Sequence, residues 1–264
     1  MISYIINLDR SVERFRFVAS QFDQLGVPYE RISAVDAGSA GVIVEDYQRN
    51  FSDWPKLYPA EVACFLSHVI CWKKIASGVD DHGAIFEDDI LISSQISTYL
   101  TSKVIPKEVD LLKIESFMYE VKFSRFGGVR VGSNMAFRAA SFHPGTAGYI
   151  LSKTAAQRLL KMYEGGINCP VDHFLFDKNF AVSRSLGVFH LSNALCVQED
   201  RLNVDNPVFT SQIAVRSVDD IKCANLMNNK KTVIQKIFRE IKRIYTSVVN
   251  KFKYFTVSQV GVLD

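Results

Sequence analysis

The sequence predicts an α/β fold, and three observations point there. Within residues 2–36, an isoleucine-rich segment, a stretch with apolar residues at helical spacing and a second apolar segment follow one another. That is the order of a parallel crossover unit. The apolar run Gly83-Ala84-Ile85-Phe86 ends in Glu87-Asp88-Asp89, as a buried strand does where it leaves a sheet at its carboxyl edge. The composition, 48% hydrophobic and 22% charged over 264 residues, supplies the core that such a sheet needs. Residues 1–215 read as one body and residues 216–264 as an appended helical tail.

The elements follow in order. Residues 2–8 form the first strand. Ser11 stands at the N-cap position, Val12, Phe15, Val18, Phe22 and Leu25 follow at helical spacing, and Gly26 stops the helix. A second strand over residues 29–35 ends at Asp36. After a loop with Trp54 and Pro55, Pro59 and Glu61 open a helix that runs to Gly78, with Pro at the first position and an acid in the first turn. Residues 83–86 and 109–114 are strands, with a helix over residues 94–103 between them. Residues 117–142, rich in Gly, Arg and aromatics, read as a hairpin or mobile loop over the crevice. Ser152 caps a helix through Leu159, Leu160 and Tyr163 that ends at Gly165-Gly166. A short helix over residues 170–177 and a strand over residues 188–196 complete the body.

Charge and cysteine usage narrow the setting. The net charge is +3, but residues 230–253 hold eight bases against the single acid Glu240, so the rest of the chain is slightly negative. Cys64, Cys71, Cys169, Cys196 and Cys223 are scattered, with no C-x-x-C pair. They read as reduced cytosolic thiols rather than a disulfide framework or a zinc motif. The N-terminal apolar stretch lacks the basic lead and length of a secretory signal. No segment offers the roughly 18 uninterrupted apolar residues of a spanning helix. The chain is expected in the cytosol, where it could still rest on a membrane.

Five constellations carry chemistry, each with a plainer alternative. Three adjacent carboxylates, Glu87, Asp88 and Asp89, repel one another, and a divalent cation offsets that cost. Hard oxygens suit Mg²⁺ or Mn²⁺, which commonly hold nucleotide phosphates; the alternative is a solvated acidic turn. Asn7-Leu8-Asp9-Arg10-Ser11 lies at a strand mouth before a helix N-terminus, a ready phosphate site. Arg10 and Arg14, four apart, would share a helix face and grip phosphate, or simply solvate the helix. Cys64 and His68 are also four apart, but a nucleophile pair would lack an orienting third residue. Cys64 therefore reads as a small core residue. Ser67 and His68 read as ligand contacts or as supports for the acidic strand. Gly145-Thr146-Ala147-Gly148-Tyr149 permits close backbone approach to a ligand, or makes a tight turn. Asp172, opening a short helix, is the best-placed general base outside the triplet, with Asp110 second. His190 is either a further metal ligand or a structurally satisfied histidine.

In their order along the chain, Asn7-Leu8-Asp9-Arg10 with Arg14, Ala34-Val35-Asp36, residues 61–68 with Trp72, Glu87-Asp88-Asp89, residues 145–149 and Pro170-Val171-Asp172 resemble glycosyltransferase family 25. This is the lipopolysaccharide (lipooligosaccharide) galactosyltransferase group, also similar to the collagen galactosyltransferases. The resemblance covers about residues 1–215. It implies a GT-A type fold, a Rossmann-like mixed sheet flanked by helices. It also implies a UDP-sugar donor (UDP-galactose foremost), Mn²⁺ or Mg²⁺, and inverting transfer in β linkage to a glycolipid saccharide.

Carried onto this chain, the resemblance puts Asp89 first as metal ligand, with Glu87 beside it and Asp88 toward the nucleotide; His190 joins the metal set from the residue reading alone. Asn7, Leu8, Arg10, Arg14, Asp36, Ser67 and His68 fall on the nucleotide side. Gly145, Thr146 and Tyr149 match a Gly-Thr-x-x-Tyr segment. The chain departs from the family where Glu-x-Asp replaces the stricter Asp-x-Asp, and where Gly148 replaces a bulkier residue. Inversion requires a base opposite the leaving group, for which Asp172 is the candidate and Asp110 the second.

In the tail, Val233, Ile234, Ile237, Ile241, Ile244, Val248 and Phe252 form an apolar stripe among lysines and arginines. A basic amphipathic helix of this kind suits an anionic membrane surface at the inner face of a bacterial inner membrane. The alternative seats are the body or a twin subunit in a homodimer. Nucleic acid is not expected, because the stripe lacks interleaved aromatics on its polar face. Two rival functions remain at this level. One is a metal-dependent nucleotidyltransferase or phosphohydrolase; the other is a non-catalytic sugar- or membrane-binding module.

Overall fold

The structure, a computed structural model, describes residues 1–38, 44–48, 54–116, 118, 120–205, 207–209 and 253–258. The opening unit forms as expected: β1 (Ser3–Asn7), α1 (Val12–Gln24) and β2 (Tyr29–Ser33), with the two strands parallel. Gly26 takes a left-handed φ of 62° and ends the helix. A four-residue helix, α2 (Val44–Tyr47), precedes α3 (Pro59–Ser77). The N-terminus of α3 is fixed by Pro59 and by Glu61, whose carboxylate accepts the Tyr58 N–H at 2.7 Å.

Then come β3 (His82–Glu87), β4 (Ile90–Ile92), β5 (Leu111–Lys113), β6 (Glu115–Ser116), β7 (Glu120–Ser124), β8 (Val129–Val131), β9 (Asn134–Phe137) and β10 (Gly148–Ser152). Helix α4 (Lys153–Tyr163) follows, its Ala155 N–H bonded to the Ser152 hydroxyl at 3.1 Å. The remaining elements are α5 (Val171–Phe176), α6 (Ala181–Ser185), β11 (Val188–Leu191), β12 (Cys196–Gln198), α7 (Glu199–Leu202) and β13 (Tyr254–Ser258).

Eight strands make the main sheet in the order β2-β1-β3-β10-β5-β11-β9-β8. Strands β1, β2 and β3 are parallel, as are β5 and β11, while β10 runs antiparallel between β3 and β5. Both faces of the sheet are covered. Tyr4, Ile6 and Ile85 pack with α3, α4 and α5 on one face, and Ile5, Ala84 and Phe86 pack with Val18 and Phe22 of α1 on the other. Burial on both faces explains why β1 and β3 are near-continuous apolar runs rather than alternating ones. This is the Rossmann-like mixed sheet flanked by helices that a GT-A type fold requires.

Four expectations need correction. Residues 94–103 form two 3₁₀ turns, Ser94–Thr98 and Ser102–Val104, instead of one helix. The Ser93 and Thr101 side chains accept the N–H groups of Gln95 and Lys103, closing local turns that compete with a continuous helix. Of the two readings of residues 117–142 the hairpin holds, since β8 and β9 pair antiparallel, but it lies at the far edge of the main sheet and not over the crevice. Residues 188–196 divide between two sheets, because the chain turns after Leu191 and β12 pairs with β4 and β6.

The fourth correction concerns the tail. Tyr254–Ser258 are not helical but a strand antiparallel to β7; the stripe from Val233 to Phe252 lies outside the described residues. No helix among the described residues is long and apolar enough to cross a membrane.

Candidate functional site

Strands β1 and β3 end side by side, with Ile6 opposite Glu87. Asn7 therefore meets the acidic triplet at the carboxyl edge of the sheet, the edge where ligand crevices open in such folds. A cleft there is lined by Asn7, Leu8, Arg10 and Arg14, by Asp36, Cys64, Ser67 and His68 from beside β2 and α3, and by Glu87, Asp88 and Asp89.

Asn7 ties the edge together. Its amide donates to Asp88 Oδ2 at 2.6 Å and to the Ser11 carbonyl at 3.0 Å, and its Oδ1 accepts from Arg31 at 2.8 Å. The three carboxylates then differ by their partners. Glu87 Oε1 accepts from the Thr146 hydroxyl at 2.8 Å and faces His68 Nε2 at 3.5 Å. Burial opposes its charge, but His68, Thr146 and the field of Lys113 outweigh burial and hold its carboxyl below the usual range. Asp88 is engaged by Asn7 and by Arg14 at 3.0 Å, yet burial still raises its pKa. Asp89 has Arg14 at 3.4 Å on one oxygen, while its Oδ1 is buried without a hydrogen-bond partner. Burial, then Glu87, Asp88 and Asp200, push the Asp89 carboxyl up to about 7. The Arg14 charge offsets this only in part.

A second polar group supports the first. His68 is fully buried, with Nδ1 at 2.9 Å from the Tyr149 hydroxyl, which also takes the Trp72 N–H at 2.8 Å. The Ser67 hydroxyl donates to Ala63 and accepts the Val35 N–H at 2.9 Å, so it holds the chain that carries Asp36. Behind Thr146, Lys113 and Glu115 form a fully buried pair at 3.3 Å. Lys113 Nζ also donates to the carbonyls of His143 at 3.3 Å, Pro144 at 2.5 Å and Gly145, and Glu115 accepts the Ala147 N–H at 3.0 Å. Burial pushes Glu115 up to about 7 and Lys113 down. The loop before β10 is thus gripped by one cation and one anion. Gly145 has φ 88°, and a Cβ there would lie 2.5 Å from Glu115 Oε1, so the position admits only glycine.

The expected site residues now sort by contact. Asn7, Leu8, Arg10, Arg14, Asp36, Ser67, His68, Glu87, Asp88 and Asp89 share the cleft. Thr146 reaches it through Glu87. Gly145 and Asp172 are not among the residues that line the cleft; they meet each other, Asp172 Oδ2 accepting the Gly145 N–H at 3.3 Å while Oδ1 accepts that of His173 at 2.8 Å.

Other expectations change. Arg10 stands in the turn before α1 and pairs with Asp36, so it does not share a helix face with Arg14. Arg14 spends its charge on Asp88 and Asp89. Tyr149 is fully buried behind His68 and acts through it rather than touching a ligand in the cleft. His190 lies on β11, three strands from β3, among Phe123, His143 and Phe176. It cannot join Asp89 around one ion, and burial lowers its pKa to about 3. Asp110 is at the opposite edge of the sheet, accepting the Gly187 N–H at 2.8 Å. A Cβ at Gly148 would lie 2.2 Å from Cys196 Sγ, which gives that family departure a packing reason.

Sequence reasoning missed Lys113 and Glu115. Their signal was present: two charges at i and i+2 in the apolar run Leu111-Leu112-Lys113-Ile114-Glu115 fall on one face of an extended segment.

Residues 1–175 match the sequence model of Glycosyltransferase family 25 (LPS biosynthesis protein). A putative glycosyltransferase of Haemophilus influenzae is 25% identical over 256 residues, 94% of this chain and 86% of that protein. The lacto-N-neotetraose biosynthesis glycosyltransferase LgtB of Neisseria meningitidis serogroup B is 27% identical over 210 residues, 75% of this chain and 76% of that one. Among solved structures, a glycosyltransferase involved in glycosylation of the major capsid of PBCV-1 overlays with a TM-score of 0.44 at 8% identity, over 86% of this chain and 99% of that chain.

Proposed function

This chain belongs to glycosyltransferase family 25, and from that premise we propose a metal-dependent, inverting transfer of galactose from UDP-galactose. The acceptor is the saccharide of a lipopolysaccharide or lipooligosaccharide, and the new linkage is β. The observation that carries the metal is the buried, unpartnered Oδ1 of Asp89, whose carboxyl feels the charges of Glu87 and Asp88. A buried carboxylate oxygen without a donor is costly, and a hard cation satisfies it. Mn²⁺ or Mg²⁺ fits an all-oxygen set from Asp89 and Glu87. The names of the relatives support the acceptor class, since LgtB is named for biosynthesis of lacto-N-neotetraose.

The residues divide the work as follows. Asp89 and Glu87 would hold the ion, whose positive charge offsets the negative charge that gathers on the departing diphosphate. Arg14 neutralises Asp88 and keeps the acidic edge intact without the ion. Arg10, on the cleft wall with Asp36, is placed to meet phosphate oxygens. Thr146 fixes the rotamer of Glu87, which faces His68 Nε2 at 3.5 Å. Asp172 is oriented by the N–H groups of Gly145 and His173 and takes the proton of the acceptor hydroxyl.

The test is transfer from UDP-galactose to purified lipooligosaccharide with Mn²⁺, the anomeric configuration of the product being read by NMR. A β product supports inversion, and an α product contradicts it. Asp172→Asn should reduce turnover by at least about 10²-fold, the usual scale of a general base, with Mn²⁺-dependent UDP binding retained. Turnover close to wild type in that variant would remove Asp172 as the base.

A further inference from the structure

We infer that Cys64, His68 and Glu87 form a second, softer metal site in the wall of the cleft, suited to Zn²⁺ rather than to Mg²⁺ or Mn²⁺. The sulfur of Cys64, a ring nitrogen of His68 and a carboxylate oxygen of Glu87 all lie within 4.8 Å of one another. Cys64 and His68 are one helical turn apart on α3, and Glu87 ends the neighbouring β3. A tetrahedral zinc, with bonds of about 2.0–2.3 Å, draws such ligands together by roughly 1 Å. Cysteine spacing in the sequence carries no sign of this, because the ligands come from two elements.

A second observation points to a ligand. His68 is fully buried, and its Nε2 has no hydrogen-bond partner; it faces Glu87 at 3.5 Å. The opposite nitrogen, Nδ1, is held at 2.9 Å by the Tyr149 hydroxyl, which the Trp72 N–H fixes in turn. Thr146 orients Glu87 in the same way. Outer partners on the histidine and the carboxylate are what metal ligands ordinarily carry. Cys64 and Glu87 both reach the cleft, which supplies an entry path and leaves a fourth position open.

The donor set decides the class of metal. One thiolate, one imidazole and one carboxylate select zinc-like ions, whereas Mg²⁺ and Mn²⁺ prefer oxygen alone. Burial and the carboxylates of Glu87, Asp172, Asp89 and Glu61 keep Cys64 protonated without metal. Binding therefore breaks the S–H bond, forms a sulfur–metal bond and sends one proton to solvent. His68 binds as the neutral ring, its Nδ1–H donating to Tyr149. Glu87 is common to this site and to the hard-metal pair with Asp89, so zinc competes with Mn²⁺ for it.

Titration of Co²⁺, a spectroscopic substitute for Zn²⁺, into the full-length metal-free protein tests the assignment. The expected spectrum has the intense visible bands of a tetrahedral ion and a thiolate-to-cobalt charge-transfer absorption in the near ultraviolet. Zn²⁺ added to the cobalt-loaded protein should bleach both, and Zn²⁺ added to the metal-free protein should release a proton in dilute buffer. Cys64→Ser should remove the charge-transfer absorption and weaken Zn²⁺ binding at least about tenfold, with an unfolding midpoint close to wild type without metal. A wild-type spectrum lacking thiolate absorption, or the same absorption in Cys64→Ser, would overturn the site. Proton release in the wild type checks it without any variant. The site rests on its donor set alone. The UDP titration with Mn²⁺ is a separate experiment, so the failure of either reading is visible by itself.

Discussion

Asn7 and Asp89 show how single residues hold a charged edge in a mostly apolar sheet. Asn7, on a buried strand end, uses both donor and acceptor of its amide to join β1, α1, β2 and the triplet. Asp89 carries the opposite consequence. Its carboxyl is raised from 3.8 to about 7 by burial and the neighbouring acids, so the metal-free fold keeps a proton there that the unfolded chain has already lost. Stability then falls as pH rises between those two values, and the loss persists above them. Asp89→Asn should accordingly stabilise the metal-free protein at pH 8 by on the order of 1–3 kcal/mol, read by urea unfolding in EDTA. Equal or lower stability of the variant would contradict this reading of Asp89. On the proposed function the same variant should also lose Mn²⁺-dependent UDP binding, so that one residue would oppose stability to function.

At the scale of elements, the helices were legible where their ends were written in the sequence. Pro59 with Glu61, Ser152 and Gly26 each stand at an observed helix boundary. Residues 94–103 failed because serine and threonine closed local turns with their own backbone. The segment Gly145-Thr146-Ala147-Gly148-Tyr149 was legible as a tight turn of small residues but not as gripped, since the grip comes from Lys113 on β5 and Glu115 on β6. Breaking that pair should be costly: Lys113→Met leaves Glu115 buried and uncompensated, at about 3–5 kcal/mol. Adding Glu115→Gln to it should recover part of the loss, because the amide oxygen still accepts the Ala147 N–H. A loss below about 1 kcal/mol for Lys113→Met in urea denaturation would show that the loop does not depend on the pair.

Over the whole molecule, motifs far apart in the chain meet because β1 and β3 are parallel neighbours and β10 is inserted beside β3. Residues 7, 36, 68, 87–89 and 146 reach one edge in this way. Motif order along the chain was enough to group them. Strand order in the sheet was not, since pairing of distant strands leaves no local trace, and this is why His190 was wrongly joined to Asp89. The tail divides similarly: Tyr254–Ser258 complete a small sheet with β7, while the basic stripe before it lies outside the described residues. For that stripe we keep the proposal of an anionic membrane surface on the cytoplasmic side. The combined variant Lys236→Glu, Arg239→Glu and Arg243→Glu should weaken binding to phosphatidylglycerol vesicles about a hundredfold, at roughly 1 kcal/mol per cation. Unchanged sedimentation with vesicles would remove the membrane proposal.

The central claim is a nucleotide–metal site built on Asp89 and Glu87, and calorimetric titration of UDP tests it most directly. The account predicts binding in Mn²⁺ that disappears in EDTA and in Asp89→Asn. UDP binding of equal strength with Mn²⁺, with EDTA and in the variant, or no binding in any of them, would contradict it.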